Sequence, residues 1–311
     1  VKRDDLTNES YGGNKVRKLE YLLGDARAKG ADTLLTTGAL GSHHALATAI
    51  HGRANGFDVH AFLSPQPWTQ HVDENLRCHL AVGTELHPIR SMLFASAAMQ
   101  ATAFKLRRQG KRPYIIPHGG SNVVGAIGYV EAGLELAAQL DAKALPEPDV
   151  IYTSLGSGAT AVGLALGLAA GGVPIPVRSV LVTTRLVGNK QFLRHLMRGT
   201  LAHLREIEPR FPAVYEIASE LLAVDDAWLA VGYGVVNDEV ERVTELAAAD
   251  DVILDPTYTA PAVATLMEDA EANRVKRALF VHTLSSADLG PLLRKAPIGP
   301  RWAPSFAGRA R

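Results

Sequence analysis

The chain has 311 residues, enough to bury a sizeable core and to divide into two lobes, and its 47% hydrophobic and 21% charged residues exclude a disordered or fibrous protein. Thirty-two basic residues balance thirty-two acidic ones, so no net field draws the chain to nucleic acid or to an anionic membrane, and a small ligand is the expected partner. The single cysteine, Cys78, excludes an internal disulfide and a thiolate zinc cluster and reads as a packing residue.

No charged, then apolar, then small-residue pattern opens the chain, and Val1 stands where Met would begin. An upstream start and a cytoplasmic location are the default expectations. The first chemically loaded segment is Gly12-Gly13-Asn14-Lys15-Val16-Arg17-Lys18-Leu19-Glu20-Tyr21-Leu22-Leu23. Apolar residues at 16, 19, 22 and 23 set a helical stripe immediately behind two glycines, which places Lys15 in a helix's first turn. The positive end of the helix dipole disfavours an ammonium there, and a lysine of depressed pKa is what Schiff-base chemistry requires. Taken alone, a lysine after two glycines is far more often a solvated surface residue.

A strand at Thr33 to Thr37 is followed by Gly38-Ala39-Leu40-Gly41-Ser42-His43-His44 and a helix through Ala45 to Ala54. Ser42 is placed as an N-cap, at a helix end that could also receive a carboxylate. His43, His44 and His51 match no zinc motif and have no acidic neighbour, so no metal is expected there. Strands at Val59 to Leu63 and Glu85 to Ile89, a helix near Phe94 to Arg108 and a strand at Tyr114 to Ile116 continue the alternation. Pro117-His118-Gly119-Gly120-Ser121-Asn122 then precedes a helix from Val124 to Leu140, and Leu140 to Asp149, with two prolines, is the best connector.

The strand Val150 to Thr153 leads into Ser154-Leu155-Gly156-Ser157-Gly158-Ala159-Thr160 and the apolar run Ala161 to Val173, which is too short to span a bilayer. A strand, a glycine turn and a helix start make an anion cradle, where backbone N–H groups and the Ser157 and Thr160 hydroxyls suit a phosphate. The segment lacks both the P-loop ending and the full dinucleotide fingerprint, so a monophosphate ester fits better than ATP or NAD. A turn that only packs helix on sheet is the alternative reading. Further strands are expected at Ser179 to Thr183 and Ala278 to His282. Tyr233 and Tyr258 stand beside turn residues, where a phenol can exchange a proton or simply pack. The whole pattern predicts an α/β fold of parallel sheets covered by helices, with ligands beyond the carboxyl ends of the strands. The tail from Lys295 reads as an irregular extension.

Taken in order, Lys2-Arg3-Asp4-Asp5-Leu6, the Gly-Gly-Asn-Lys helix, Gly119-Gly120-Ser121-Asn122, Gly128-Tyr129-Val130-Glu131, Tyr233-Gly234-Val235, Asp255-Pro256, Tyr258-Thr259 and His282-Thr283 form a recognisable set. The chain thereby resembles, over most of its length, the 1-aminocyclopropane-1-carboxylate deaminase and D-cysteine desulfhydrase family of fold-type II pyridoxal-phosphate enzymes. The resemblance implies a two-lobed α/β fold like the tryptophan synthase β chain, each lobe a mostly parallel sheet covered by helices. Residues 1–30 plus 118–311 would form the larger, cofactor-binding lobe and residues 31–117 the smaller one.

It further implies pyridoxal 5'-phosphate bound as a Schiff base on Lys15, with Asn14, His43, Gly156, Ser157, Gly158, Ala159, Thr160 and Thr259 around the cofactor. Ser42 would receive the substrate carboxylate, and Tyr233 and Tyr258 would be acid–base candidates beside Lys15. Thr259 stands where ring-opening deaminases tend to carry glutamate facing the pyridine nitrogen and desulfhydrase-like members carry threonine. The expected reaction is therefore β-elimination on a small amino acid, giving a 2-oxo acid and ammonia. Ring-opening deamination, β-replacement and a catalytically silent cofactor-binding homologue are the alternatives. Two stretches depart from the family: Gly41-Ser42-His43 replaces Gln-Ser-Asn, and Leu284-Ser285-Ser286 replaces Gly-Gly-Thr after His282-Thr283. A homodimer is the usual assembly of the family.

Overall fold

The computed structural model describes residues 1–185, 188–232 and 235–296. They pack as two compact units. One comprises Val1–Asn8, Gly12–Lys18 and Ser121–Ser286; the other comprises Glu9–Tyr11, Leu19–Gly120 and the described residues from Ala287 onward. Helix α1 (Asn14–Ala28) contributes its first turn to the first unit and its remainder to the second.

The second unit is built on strands β1 (Thr33–Ala39), β2 (Asp58–Ser64), β3 (Glu85–Pro88) and β4 (Pro113–Ile115), all parallel, in the order β3-β2-β1-β4. Alternate side chains leave opposite faces of the sheet. Ala61 and Leu63 pack under α2 (His43–Ala54) and α3 (Gln70–Ala81), while Leu35 and Phe62 pack under α4 (Ala95–Arg108). Cys78, on α3, is buried, and burial pushes its thiol up to about 11, which leaves it a packing group.

The first unit repeats the plan with β5 (Val150–Leu155), β6 (Val177–Leu181), β7 (Leu222–Asp225) and β8 (Ala278–Phe280) in the order β7-β6-β5-β8, again parallel. Ile151, Leu155, Val177 and Leu181 face α5 (Val123–Asp141), α6 (Ala159–Ala170), α7 (Lys190–Ile207) and α8 (Tyr215–Leu221). Tyr152, Val180 and Phe280 face α9 (Asp238–Ala248) and α10 (Thr259–Glu271). A short α11 (Gly290–Lys295) closes the described chain.

Both sheets reverse direction at an inner strand: β2 and β3 extend from one side of β1 while β4 lies on the other, and β6 and β7 extend from one side of β5 while β8 lies on the other. Ligand loops in such sheets lie beyond the carboxyl ends of the strands at this reversal. The segments after β1 and β5 are the two glycine turns singled out in the sequence, Gly38 to His44 and Ser154 to Thr160.

Helix α6 is apolar on every side and almost entirely buried, as a central helix must be. Its glycines let α5 come close. A Cβ at Gly163 would lie 2.4 Å from the Ala126 carbonyl oxygen, and one at Gly167 would lie 2.1 Å from that of Val130. Helix α5, at 19 residues, is by length and composition apolar enough to cross a membrane, but more than half of its apolar window is buried in the first unit's core.

Gly167→Ala should therefore destabilise the protein by about 1–3 kcal/mol through overpacking against backbone. Gly24→Ala, on the exposed side of α1 with nothing within 4 Å, should stabilise it by about 0.5–1 kcal/mol. Urea unfolding followed by circular dichroism distinguishes the two, and equal midpoints would contradict this packing.

Candidate active site

The geometry of the first unit's chemical residues begins at the start of α1. Gly13 has φ +83°, and a Cβ there would sit 2.7 Å from the Thr283 carbonyl oxygen, so only glycine brings the chain this close. The Gly13 N–H donates to the Asp4 carbonyl (2.8 Å) and the Asn14 N–H to the Thr283 carbonyl (3.1 Å). Asn14 is buried and bridges two elements: its Oδ1 accepts from Lys15 Nζ (2.6 Å) and its Nδ2 donates to Thr160 Oγ1 (3.0 Å) in the first turn of α6.

Lys15 is thus held beside the start of α6. Burial pushes its ammonium down to about 8, and the attraction of Asp255 offsets only part of that loss. Lys18, one turn on, is buried and is pushed well below the ordinary lysine value by burial and by the charge on Lys15.

The turn after β5 forms the other wall. Gly158, at φ +96°, precedes α6 without a side-chain cap, so the helix starts with backbone donors and a positive dipole end. Ser157 Oγ lies 2.6 Å from Ser121 Oγ, which also accepts from the Ala159 N–H at 3.3 Å. Thr183 donates to the Gly156 carbonyl (3.2 Å) and fixes the turn on β6's side. A Cβ on Gly156 would approach the Tyr258 ring to 3.1 Å, which brings this tyrosine to the same turn.

Thr259 opens α10 and is fully buried. Its hydroxyl donates to Asp255 Oδ2 (2.8 Å) and accepts from the Asp255 N–H (2.6 Å). Asp255 Oδ1 accepts from the Thr257 and Tyr258 N–H groups at 3.0 and 2.7 Å. One carboxylate therefore sets the backbone under Tyr258 and Thr259.

The departures near the end of the chain have a local use. Ser285 Oγ accepts from the Gly12 N–H (2.8 Å), and Ser286 donates to Asp5 Oδ2 (2.6 Å). A glycine at 285 could not supply the first bond, whereas the family's threonine at 286 would keep a hydroxyl for the second; both bonds brace the segment that leads into α1 and Lys15.

Ser42 and His43 belong to the second unit. Ser42 is the N-cap of α2, accepting from the Ala45 N–H at 3.2 Å. His43 Nδ1 lies 2.8 Å from the Tyr11 hydroxyl, and its ring lies 4.7 Å from that of His71. His71 Nε2 in turn donates to the Gly41 carbonyl (2.9 Å), so the substituted histidine sits in a braced turn.

Of the residues expected from the sequence, Asn14, Lys15, Gly156, Ser157, Gly158, Ala159, Thr160, Tyr258 and Thr259 come together in the first unit. Tyr233 lies outside the described residues. Asp255 and Ser121 stand out in the sequence only as members of family runs. The signal for Asp255 is its place before proline, where aspartate commonly turns the chain onto a helix.

A family model described as pyridoxal-phosphate dependent enzyme matches residues 1–284. The chain belongs to that family. Among solved structures, an ACC deaminase homologue superposes with a TM-score of 0.75 at 28% identity, covering 94% of this chain and 87% of that one. The resemblance drawn from the ordered motifs points the same way. A T.th. threonine deaminase (TM-score 0.61, 17% identity, 89% and 84% covered) and an O-ureido-L-serine synthase (0.60, 17%, 94% and 86%) share the fold.

The cofactor of this enzyme is pyridoxal 5'-phosphate, and the residues present fit it. A helix start whose N-cap is a glycine, behind a glycine turn, suits the phosphate, and a lysine of lowered pKa offers the neutral amine that an aldehyde requires.

The lowered pKa has a sign that can be checked. A lysine at about 8 in the fold and 10.5 in the open chain is penalised while charged, so the cofactor-free protein gains stability as pH rises between those values. Acylation of Lys15 in cofactor-free protein, followed by mass spectrometry, should rise with pH through about 8. A profile rising only near 10.5 would contradict the burial.

Proposed function

We propose that the enzyme catalyses β-elimination on a small amino acid, and that the first unit is its cofactor-binding lobe. One amino acid bearing a β leaving group and one water would yield a 2-oxo acid, ammonia and the protonated leaving group. The observation that carries this reading is Thr259, a buried neutral hydroxyl engaged with Asp255, in the position that the family turns toward the pyridine nitrogen. A neutral partner supports a cationic ring less than a glutamate would, which favours expulsion of a leaving group over ring opening.

Pyridoxal phosphate supplies the electron sink for the bond broken at the substrate's α-carbon. The chain's own residues bind, orient and move protons. Gly156, Ser157, Gly158, Ala159 and Thr160 hold the phosphate at the start of α6, where aligned N–H groups favour an anion. Asn14 orients Lys15 against that helix. Lys15 carries the cofactor and, once the substrate amine displaces it, takes the α-proton on Nζ; a pKa near 8 suits that exchange at neutral pH. Ser42 receives the substrate carboxylate, His43 stands in for the asparagine that the family aims at the ring oxygen, and Tyr258 exchanges a proton near the leaving group. Tyr233 keeps the same candidate role through the family resemblance.

The silent-homologue alternative rests on His43 and on the altered residues at 284–286. The bond from the Gly12 N–H to Ser285, which a glycine at 285 could not accept, favours the active reading, since it supports the segment leading into the lysine helix.

Purified enzyme should release oxo acid from D-cysteine or β-chloroalanine and none from the cyclopropane amino acid. Turnover of the cyclopropane substrate at a comparable rate would replace elimination with ring opening, and a cofactor-loaded protein that turns over nothing would favour the silent reading. Lys15→Ala should lose the visible absorbance of bound cofactor and lower turnover by about 10³-fold or more, while Lys18→Met keeps the band. Ser42→Ala should raise KM roughly tenfold, the worth of one hydrogen bond to a carboxylate.

A further inference from the structure

The second unit carries a cluster that the cofactor chemistry does not use. Strands β2 and β3 pair in parallel with His60 opposite Glu85 and Phe62 opposite His87. Because side chains alternate along each strand, His60, Glu85 and His87 share one face of the sheet. Each offers one donor atom, and the three donors lie within 4.8 Å of one another.

His60 Nδ1 is 2.9 Å from His87 Nε2, and the Glu85 carboxylate oxygens are 3.6 Å from the first and 3.4 Å from the second. Metal–nitrogen and metal–oxygen bonds of about 2.1 Å span about 3.0 Å when they meet at a right angle and about 3.4 Å at the tetrahedral angle. The His60–His87 separation matches a right-angle pair, and each nitrogen has a different Glu85 oxygen (Oε2 for His60, Oε1 for His87) within a few tenths of an ångström of the tetrahedral separation, so a small turn of the exposed carboxylate completes a single coordination sphere.

The rings are also held in place. Phe62 stacks on His87 with centroids 4.4 Å apart and planes 10° from parallel, and the His60 ring stacks with that of His87 at 5.2 Å. His60 is buried, His87 half-buried and Glu85 exposed, so two rigid nitrogens stand behind a carboxylate that reaches solvent. Burial lowers the pKa of both imidazoles against the pull of Glu85. Asp58 adds to that pull on His60 while Lys111 opposes it, and Lys105 opposes protonation of His87. Neutral imidazole is the ligating form.

We propose that His60, Glu85 and His87 form a binding site for one nitrogen-preferring divalent cation of the zinc, nickel or cobalt kind. Two imidazoles and a carboxylate select such cations over magnesium or calcium, which prefer all-oxygen sites. The ring proton now shared between His60 Nδ1 and His87 Nε2 would move to an outer ring nitrogen, and water would complete the coordination. The cation would clamp the edge strand β3 to β2.

The test uses untagged holoenzyme stripped with a chelator and titrated with cobalt, nickel and magnesium in separate calorimetric runs. The expected result is saturable binding of one cobalt or nickel per chain at micromolar cation, with no saturable binding of magnesium. His87→Ala and Glu85→Gln, both at accessible positions, should weaken that binding roughly tenfold or more while the cofactor absorbance and far-ultraviolet circular dichroism stay as in the parent. The cobalt ligand-field bands should disappear with the binding. Absence of saturable binding in the parent, or undiminished binding in both variants, would overturn the site and leave a hydrogen-bonded histidine pair.

Discussion

The location of Lys15 depends on a carboxylate buried near the beginning of the chain. Asp4 accepts from Arg17 Nε and Nη2 (3.1 and 3.0 Å) through one oxygen and from the Tyr129 hydroxyl (2.6 Å) through the other. Its backbone carbonyl holds Gly13, and Arg17 reaches on to Glu135, which also pairs with Lys2. Burial works against the charge on Arg17, and Asp4 and Glu135 more than restore it. Burial and the neighbouring Asp4 push the Tyr129 phenol well above its usual value, so it stays a donor. Losing one partner of such a buried pair generally costs about 3–5 kcal/mol. The network fixes the first turn of α1 on α5, where a Cβ at Gly128 would lie 1.9 Å from the Arg17 carbonyl oxygen.

With that turn anchored, the rest of the site follows from sheet topology. The turn after β5 and the segment after β8 lie at one strand reversal, and the first carries the glycine-led start of α6 while the second carries Thr283, Ser285 and Ser286. Asn14 joins the anchored lysine to that helix start. The same burial that holds Asn14 removes water from the Lys15 ammonium, so one packing arrangement both places the amine and lowers its pKa.

Much of the fold was legible because apolar runs in β1, β2 and β5 are flanked by glycine and helical stripes, and their observed ends fall within two residues of the expected ones. Strand β6 begins two residues earlier than its apolar run suggested, since Arg178 is accommodated by ion pairs with Asp225 and Asp269. Strand β7 was not legible: Leu222-Ala223-Val224-Asp225 is a short edge strand whose identity comes from pairing with β6. Helices α3 and α7 carry too many charged residues to announce an apolar run, although each buries one face. The lysine helix and the glycine turn were readable as chemistry, whereas Asp4, Asp5 and Asp255 were readable only as members of a family pattern. The Asp4 and Asp5 carboxylates hold distant side chains and the Asp255 carboxylate holds backbone N–H groups, neither of which leaves a periodic trace. Leu284-Ser285-Ser286 read in sequence only as a departure from the family pattern, and Ser285 and Ser286 are hydrogen-bonded braces in the structure. His60 and His87 stand far apart in the chain without a motif spacing, and only strand register brings them together.

The central claim is that Lys15, held by Asn14 beside the start of α6, is the residue that carries pyridoxal phosphate. Borohydride reduction of the holoenzyme followed by peptide mass spectrometry tests it directly, because reduction locks the cofactor onto the lysine that bears it. A phosphopyridoxyl group on Lys15 is the expected result. Recovery of that group on the neighbouring buried Lys18, or on any other lysine, would contradict it.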